Sequence, residues 1–176
     1  MSIFLHEHPD FKDLLEIVAT EQKINDPYLV EKDYWIMHCL WGLADLGLKF
    51  ELKGGTSLSK GYKCINRFSE DIDIRIHPPT VYKEPLYFGK NQQDDKHIES
   101  RNKFFDWILN FLDGKIHGLT SVVRDNNFDD EDSRSCGIRL IYNSHFGTPK
   151  GGLKEGVLLE IRSEERRVGK ECRSRW

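Results

Sequence analysis

Asp71-Ile72-Asp73-Ile74 alternates acid with apolar residue, and no other stretch of the chain constrains the fold as tightly. A strand has a side-chain period of two, so both carboxylates point to one face and both isoleucines to the other. Two carboxylates that close repel unless a positive charge lies between them. A divalent ion such as Mg²⁺, with its preference for hard oxygen ligands, meets that need. Upstream, the strand signal Phe50 to Lys53 ends in Gly54-Gly55, and Thr56 to Tyr62 reads as a helix. Glycines let a backbone approach a ligand, and the exposed N–H groups at a helix start attract phosphate. Each half has a plain alternative, a simple turn or an exposed strand. In this order, a helix's length apart, they form the apparatus of phosphoryl or nucleotidyl transfer.

Around this block the chain reads as helices first, then strands interleaved with helices. Phe11, Leu14, Leu15 and Val18 predict an amphipathic helix over 10–22. Asp26 as N-cap and Pro27 at the first position open a second helix, whose stripe is Val30, Tyr34, Met37, Trp41, Ala44 and Leu48, ending near Gly47. Ile72 to Ile76 is a strand stopped by Pro78-Pro79, and 80–96 is polar and without period. Phe104, Phe105, Ile108, Leu109, Phe111 and Leu112 mark a helix closed by Gly114. Leu119 to Val123, Ile138 to Tyr142 and 157–161 read as strands, with an acidic connection Asp125 to Asp132 and a turn Gly147 to Gly152. The pattern predicts α/β or α+β with a mixed sheet.

The chain of 176 residues has room for one domain, and 38 % apolar with 31 % charged residues supports a packed core. No apolar run approaches the ~20 residues of a membrane span. Met1 to Asp10 has no basic start followed by an apolar stretch, as a secretory leader would. Cys39, Cys64, Cys136 and Cys172 show neither CxxC nor zinc spacing, so a reducing cytoplasm is the expected compartment. The histidines form no ligand motif, and the run from Asp129 to Asp132 lacks calcium-loop spacing and reads as a solvated connection. The net charge of −3 argues against non-specific DNA binding, while a local basic groove at Lys53, Lys60, Lys63 and Arg67 remains open. Arg162 to Trp176 (RSEERRVGKECRSRW) holds six basic and three acidic residues without helix or strand period. That string resembles a translated sequencing-adapter oligonucleotide; a native basic tail that binds nucleic acid is the alternative. On the first reading the domain is 1–161, 162–176 is a non-native tail, and the natural protein is longer.

Lys53-Gly54-Gly55-Thr56 with Leu58-Ser59-Lys60, then Arg67-Phe68-Ser69-Glu70-Asp71-Ile72-Asp73, resembles the signature of the AbiEii/AbiGii toxin nucleotidyltransferases, in the DNA polymerase β-like superfamily. Glu31-Lys32-Asp33-Tyr34-Trp35, by itself a solvated charged turn with aromatic anchors, resembles the stretch this family carries on the preceding helix. The resemblance implies a nucleotidyltransferase fold, a small mixed sheet with N-terminal helices. It also implies a third carboxylate on a later strand. Glu160, between Leu159 and Ile161, matches that setting; the alternative is a strand-end acid facing solvent. Asp71, Asp73 and Glu160 would then hold two Mg²⁺ ions. Gly54, Gly55, Thr56 and Ser57 would bind a triphosphate whose charge Lys60 and Arg67 neutralise. The implied reaction moves a nucleoside monophosphate from an NTP to a hydroxyl, with RNA such as tRNA as acceptor. The implied setting is the toxin of a toxin–antitoxin or phage-defence pair, with an antitoxin protein as partner. Fifteen residues separate Gly55 from Asp71, more than in many superfamily members, and the family's helical C-terminal half is not present. Two further classes therefore stand beside this one: a non-catalytic fragment that docks an antitoxin, and a transferase acting on small molecules such as antibiotics.

Overall fold

The long helix starts where its cap chemistry dictates. The Asp26 carboxylate accepts the Tyr28 amide at 3.0 Å, and Pro27 takes the first helical position, where a missing N–H costs nothing. The structure is a computed structural model that describes residues 4–64, 70–87, 93–147 and 154–162. Helices α1 (Phe11–Glu21) and α2 (Pro27–Asp45) lead into β1 (Lys49–Leu52). A short helical turn, α3 (Gly54–Thr56), runs on as a wider π turn, Ser57–Gly61. Then come β2 (Asp71–His77), α4 (Asp95–Leu112), β3 (Leu119–Arg124), β4 (Ser135–Tyr142) and β5 (Val157–Arg162). No helix among the described residues is long and apolar enough to cross a membrane.

The strands form one mixed sheet in the order β1-β2-β5-β4-β3. Only the β2–β5 pair is parallel. Alternation divides the sheet into two faces. Ile72, Ile74 and Ile76, Cys136, Ile138 and Leu140, and Val157, Leu159 and Ile161 are buried together. They pack with Trp35, Ile36, Cys39 and Leu43 of α2 and Phe104, Phe105, Ile108 and Leu112 of α4. Each large apolar side chain so buried stabilises by ~1.5–3 kcal/mol. A slip of one residue in β2 would exchange three isoleucines for Asp71, Asp73 and Arg75, so the core fixes the register.

Five elements differ from the sequence reading, and the first is the helix expected over Thr56 to Tyr62, which is instead the three-residue turn Gly54–Thr56 continued by the π turn Ser57–Gly61. The stripe Tyr34, Met37, Trp41 is not the core face of α2, and Met37 and Trp41 are about half exposed. The core face is Trp35, Ile36, Cys39, Leu43; Tyr34 lies at its margin, partly buried, with its ring on Phe11 of α1 at 4.9 Å. Apolar residues lie on two sides of this helix, and the spacing singled out the wrong one. Helix α4 begins at Asp95, well before its apolar run, because its first turns are polar and are fixed by the buried Arg101. Arg101 donates to the carbonyls of Tyr87 at 2.8 Å and Asp132 at 2.7 Å. Strand β4 starts at Ser135 rather than Ile138. Finally, the acidic connection is not merely solvated. Asp125 pairs with Arg139 at 2.8 Å, Asp129 pairs with Arg124 at 3.0 Å, and Asp130 caps the amide of Ser135.

Histidines scattered in sequence meet in space. His6 Nδ1 lies 2.8 Å from the Tyr34 hydroxyl, and His6 Nε2 lies 3.2 Å from His117 Nδ1. His117 Nε2 faces Glu7 at 3.3 Å, and His38 Nε2 donates to the His117 carbonyl at 2.8 Å. One set of neutral tautomers satisfies this relay, running Tyr34, His6, His117, Glu7. Gly118, at φ +80°, keeps the space open, since a Cβ there would meet His6 Nε2 at 2.5 Å. Burial, then the neighbouring His38 and His117, lower the His6 pKa to about 4, against the opposing pull of Glu7. The unfolded chain therefore takes up a proton near pH 6.5 that the folded chain refuses until about pH 4. Stability contributed by neutral His6 is lost as pH falls through that window. The midpoint of thermal unfolding should drop between pH 7 and pH 5, and His6→Gln should flatten that drop; an unchanged slope in the variant would show that His6 does not titrate there.

Candidate active site

Asp71 and Asp73 leave β2 on the face opposite the buried isoleucines, and the parallel register sets Asp73 directly beside Glu160 of β5. Asp71 is one step along the same face, opposite Leu158. The sequence reading expected these three carboxyls to converge; the pairing of β2 with β5 sets Asp73 beside Glu160, with Asp71 one residue pair further along. Their electrostatics follow from closeness and burial. Burial, then Asp73 and Glu70, raise the Asp71 pKa, while Lys32 and Arg139 pull it back. Glu160 is also raised, chiefly by burial, with Arg162 opposing and a hydrogen bond to Asp73 favouring the protonated form.

Arg162, assigned from sequence to the tail, is the last residue of β5 and belongs to this cluster. Its guanidinium lies 2.6 Å from Glu160 Oε1 and 3.8 Å from Asp73 Oδ1. It answers the charge of the acid pair from within the same strand. Among the described residues, no three His, Cys, Asp or Glu side chains are grouped as a metal-holding set. The donor chemistry still suits a hard divalent cation, because Asp73 and Glu160 present carboxyl oxygens in register on neighbouring strands.

The glycine turn lies against these acids. Gly54 has φ +62°, and a Cβ built on it would come within 1.9 Å of Asp73 Oδ2. Only a residue without a side chain lets the Asp73 carboxyl rest on this backbone. The Lys53 amide donates to the Asp73 carbonyl at 2.7 Å, and the buried Thr56 hydroxyl donates to the Asp71 carbonyl at 2.5 Å. Thr56 thus ties the turn to β2 through the donor that was expected to face a ligand. Gly55 and Ser57 are partly exposed beside it. The Tyr62 amide reaches back to the Ser57 carbonyl at 3.0 Å, the five-residue span that makes this a π turn. Lys60 pairs with Asp33 of α2 at 2.5 Å. Arg67, the other expected cation, lies outside the described residues.

What the sequence reading omitted is the role of Glu31, Lys32 and Asp33. Glu31 and Lys32 are fully buried, and all three contact segments that border the site. Charge in one helical turn normally marks solvent, and their partners are distant in sequence; only the family resemblance singled the stretch out. Gly54→Ala should destabilise by ~1–2 kcal/mol for the left-handed backbone alone and displace the Asp73 carboxyl. Gly61→Ala, with open space around it, should stay within ~0.5 kcal/mol. Urea titration of both variants measures the contrast, and equal stabilities would refute the close-approach role of Gly54.

No curated protein and no solved structure matches the chain. A family model does: the nucleotidyl transferase AbiEii toxin of type IV toxin–antitoxin systems matches residues 35–169, which take in the glycine turn, both aspartates of β2 and Glu160. By that match, most of its length being covered, the chain belongs to the AbiEii nucleotidyl transferase toxin family.

Proposed function

We propose that this protein moves a nucleoside monophosphate from a nucleoside triphosphate to a hydroxyl acceptor of the RNA class, tRNA among them. The observation that carries the reading is the in-register pair Asp73 and Glu160, with Asp71 on the same face and Gly54 seated against Asp73. Asp71, Asp73 and Glu160 would hold two Mg²⁺ ions, which when bound lower the pKa of an attacking hydroxyl and offset charge at phosphorus. The chain's own residues do the positioning. The hydrogen bonds from Lys53 and Thr56 to the β2 carbonyls fix the glycine turn against the strand that carries the acids. Gly54 gives the Asp73 carboxyl its seat, while Gly55 and Ser57, partly exposed beside it, let a polyphosphate approach the main chain, where amide N–H groups donate to anionic oxygens. Lys60 supplies positive charge, held ready by Asp33, and Arg67 adds a second cation. Membership of a type IV toxin family supports an antitoxin protein as partner and action in the cytoplasm.

The test is label transfer from an α-labelled nucleoside triphosphate to RNA in the presence of Mg²⁺. Asp71→Asn combined with Asp73→Asn should lower it by ~10²-fold or more, because preorganised charge supplies most of the transition-state stabilisation in such chemistry. Far-UV circular dichroism should stay unchanged, since removing mutually repelling charges does not weaken the fold. Transfer by the double variant at the wild-type rate would defeat the metal-site reading. Transfer to an antibiotic but not to RNA would place the acceptor among small molecules, and antitoxin capture without any transfer would mark a docking fragment.

A further inference from the structure

Consecutive helical residues project about 100° apart, so Glu31, Lys32 and Asp33 reach three directions from one turn of α2. Glu31 accepts the Ser144 hydroxyl at 2.5 Å and the His145 amide at 3.0 Å, in the segment that follows β4. Lys32 donates to the Lys154 carbonyl at 2.9 Å, just ahead of β5, and pairs with Glu70 at 3.5 Å, just ahead of β2. Asp33 holds Lys60 in the turn that follows β1. The sheet register brings the ends of β1 and β4 and the starts of β2 and β5 to one edge of the sheet. Among the described residues, one turn of one helix therefore touches the segments that follow β1 and β4 and those that precede β2 and β5. The helix is itself immobilised, because Trp35, Ile36, Cys39 and Leu43 anchor it in the core.

Lys32 is central to this arrangement. Its side chain is only 1 % exposed, so its ammonium depends on protein partners in place of water. Those partners sit just ahead of two different strands, the same two that carry Asp71, Asp73 and Glu160. We propose that Lys32 is a positioning residue of the site: by holding Glu70 and the Lys154 carbonyl together, it sets the spacing of β2 and β5 from which the three carboxyls project. It acts through the backbone of those strands and need not touch a substrate. The proposal rests on the acidic site as read above in one arm of its test and is independent of it in the other.

The test compares wild type, Lys32→Met and Lys32→Arg by amide hydrogen exchange and by Mn²⁺ titration followed by electron paramagnetic resonance. In Lys32→Met, exchange should quicken at residues 70–73 and 156–160 while α4 and β3 keep wild-type protection. The Mn²⁺ dissociation constant should rise ~10–100-fold, the usual effect of losing a partner that orients metal ligands. Lys32→Arg, which keeps charge and donors, should recover part of both. Glu70→Gln guards against a Lys32→Met chain that fails to fold: it should loosen 70–73 and leave 156–158 protected, because Lys32 still holds the Lys154 carbonyl. Wild-type exchange at both strand starts in Lys32→Met would overturn the proposal. So would uniform acceleration across the sheet, or Mn²⁺ bound by Lys32→Met as tightly as by wild type. Absence of Mn²⁺ binding in wild type would defeat the metal reading alone, and the exchange data would then decide the role of Lys32.

Discussion

Asp71, Asp73 and Glu160 share one face of two hydrogen-bonded strands, and the electrostatic cost of that placement governs the rest of the site. At an effective dielectric of about 20, like charges ~4 Å apart oppose each other by ~4 kcal/mol. Whole domains are stable by only ~5–15 kcal/mol. Counter-charge therefore has to be part of the fold, and it arrives from three directions: Arg162 within β5, Lys32 from α2 and Arg139 from β4. The core on the opposite face supplies the rigidity that makes this possible, since register cannot slip to relieve the repulsion.

The cations are themselves restrained, which gives the acidic connection between β3 and β4 a purpose. Asp125 holds Arg139 by a charge-assisted bond in a nearly enclosed position, so the guanidinium stays where its charge opposes the rise of the Asp71 pKa. Arg124 gathers Asp106 and Asp129 on the neighbouring edge. Lys60 is held by Asp33 in the same manner. Arg139 shows the arrangement in full: Asp71 is the inner acid it stabilises, and Asp125 is the outer acid that orients it.

Local patterns were legible in the sequence wherever one residue's neighbours decide its state. The Asp26-Pro27 helix start, the alternation of β2, the glycine turn and the apolar strand 157–161 all belong to this class. Glu160 was placed by its apolar flanks together with the family resemblance, and its register beside Asp73 is a property of the sheet. Illegible features depend on partners far along the chain. Glu31 meets Ser144 across 113 residues and Lys32 meets Lys154 across 122, so a buried charged turn looked like a solvated one. The polar start of α4 stayed hidden for a related reason, because Arg101 is satisfied by carbonyls of two separate segments. Spacing alone could not choose between the two apolar sides of α2, since both are used.

The strand order has a consequence for the moment at which the acids first meet. Strand β5, the latest described in the chain, lies at the middle of the sheet, between β2 and β4. Until it is in place, the β1–β2 pair and the β3–β4 pair share no ladder, and Glu160 is not beside Asp73. Synthesis runs from the N-terminus at ~5–20 residues per second. On the ribosome, the nascent chain would thus expose its glycine turn and both β2 aspartates for several seconds before the third carboxyl emerges. Assembly of the full acidic face is in this way deferred to the end of translation of the sheet, so that a stalled or prematurely released chain carries the parts of the site without their alignment.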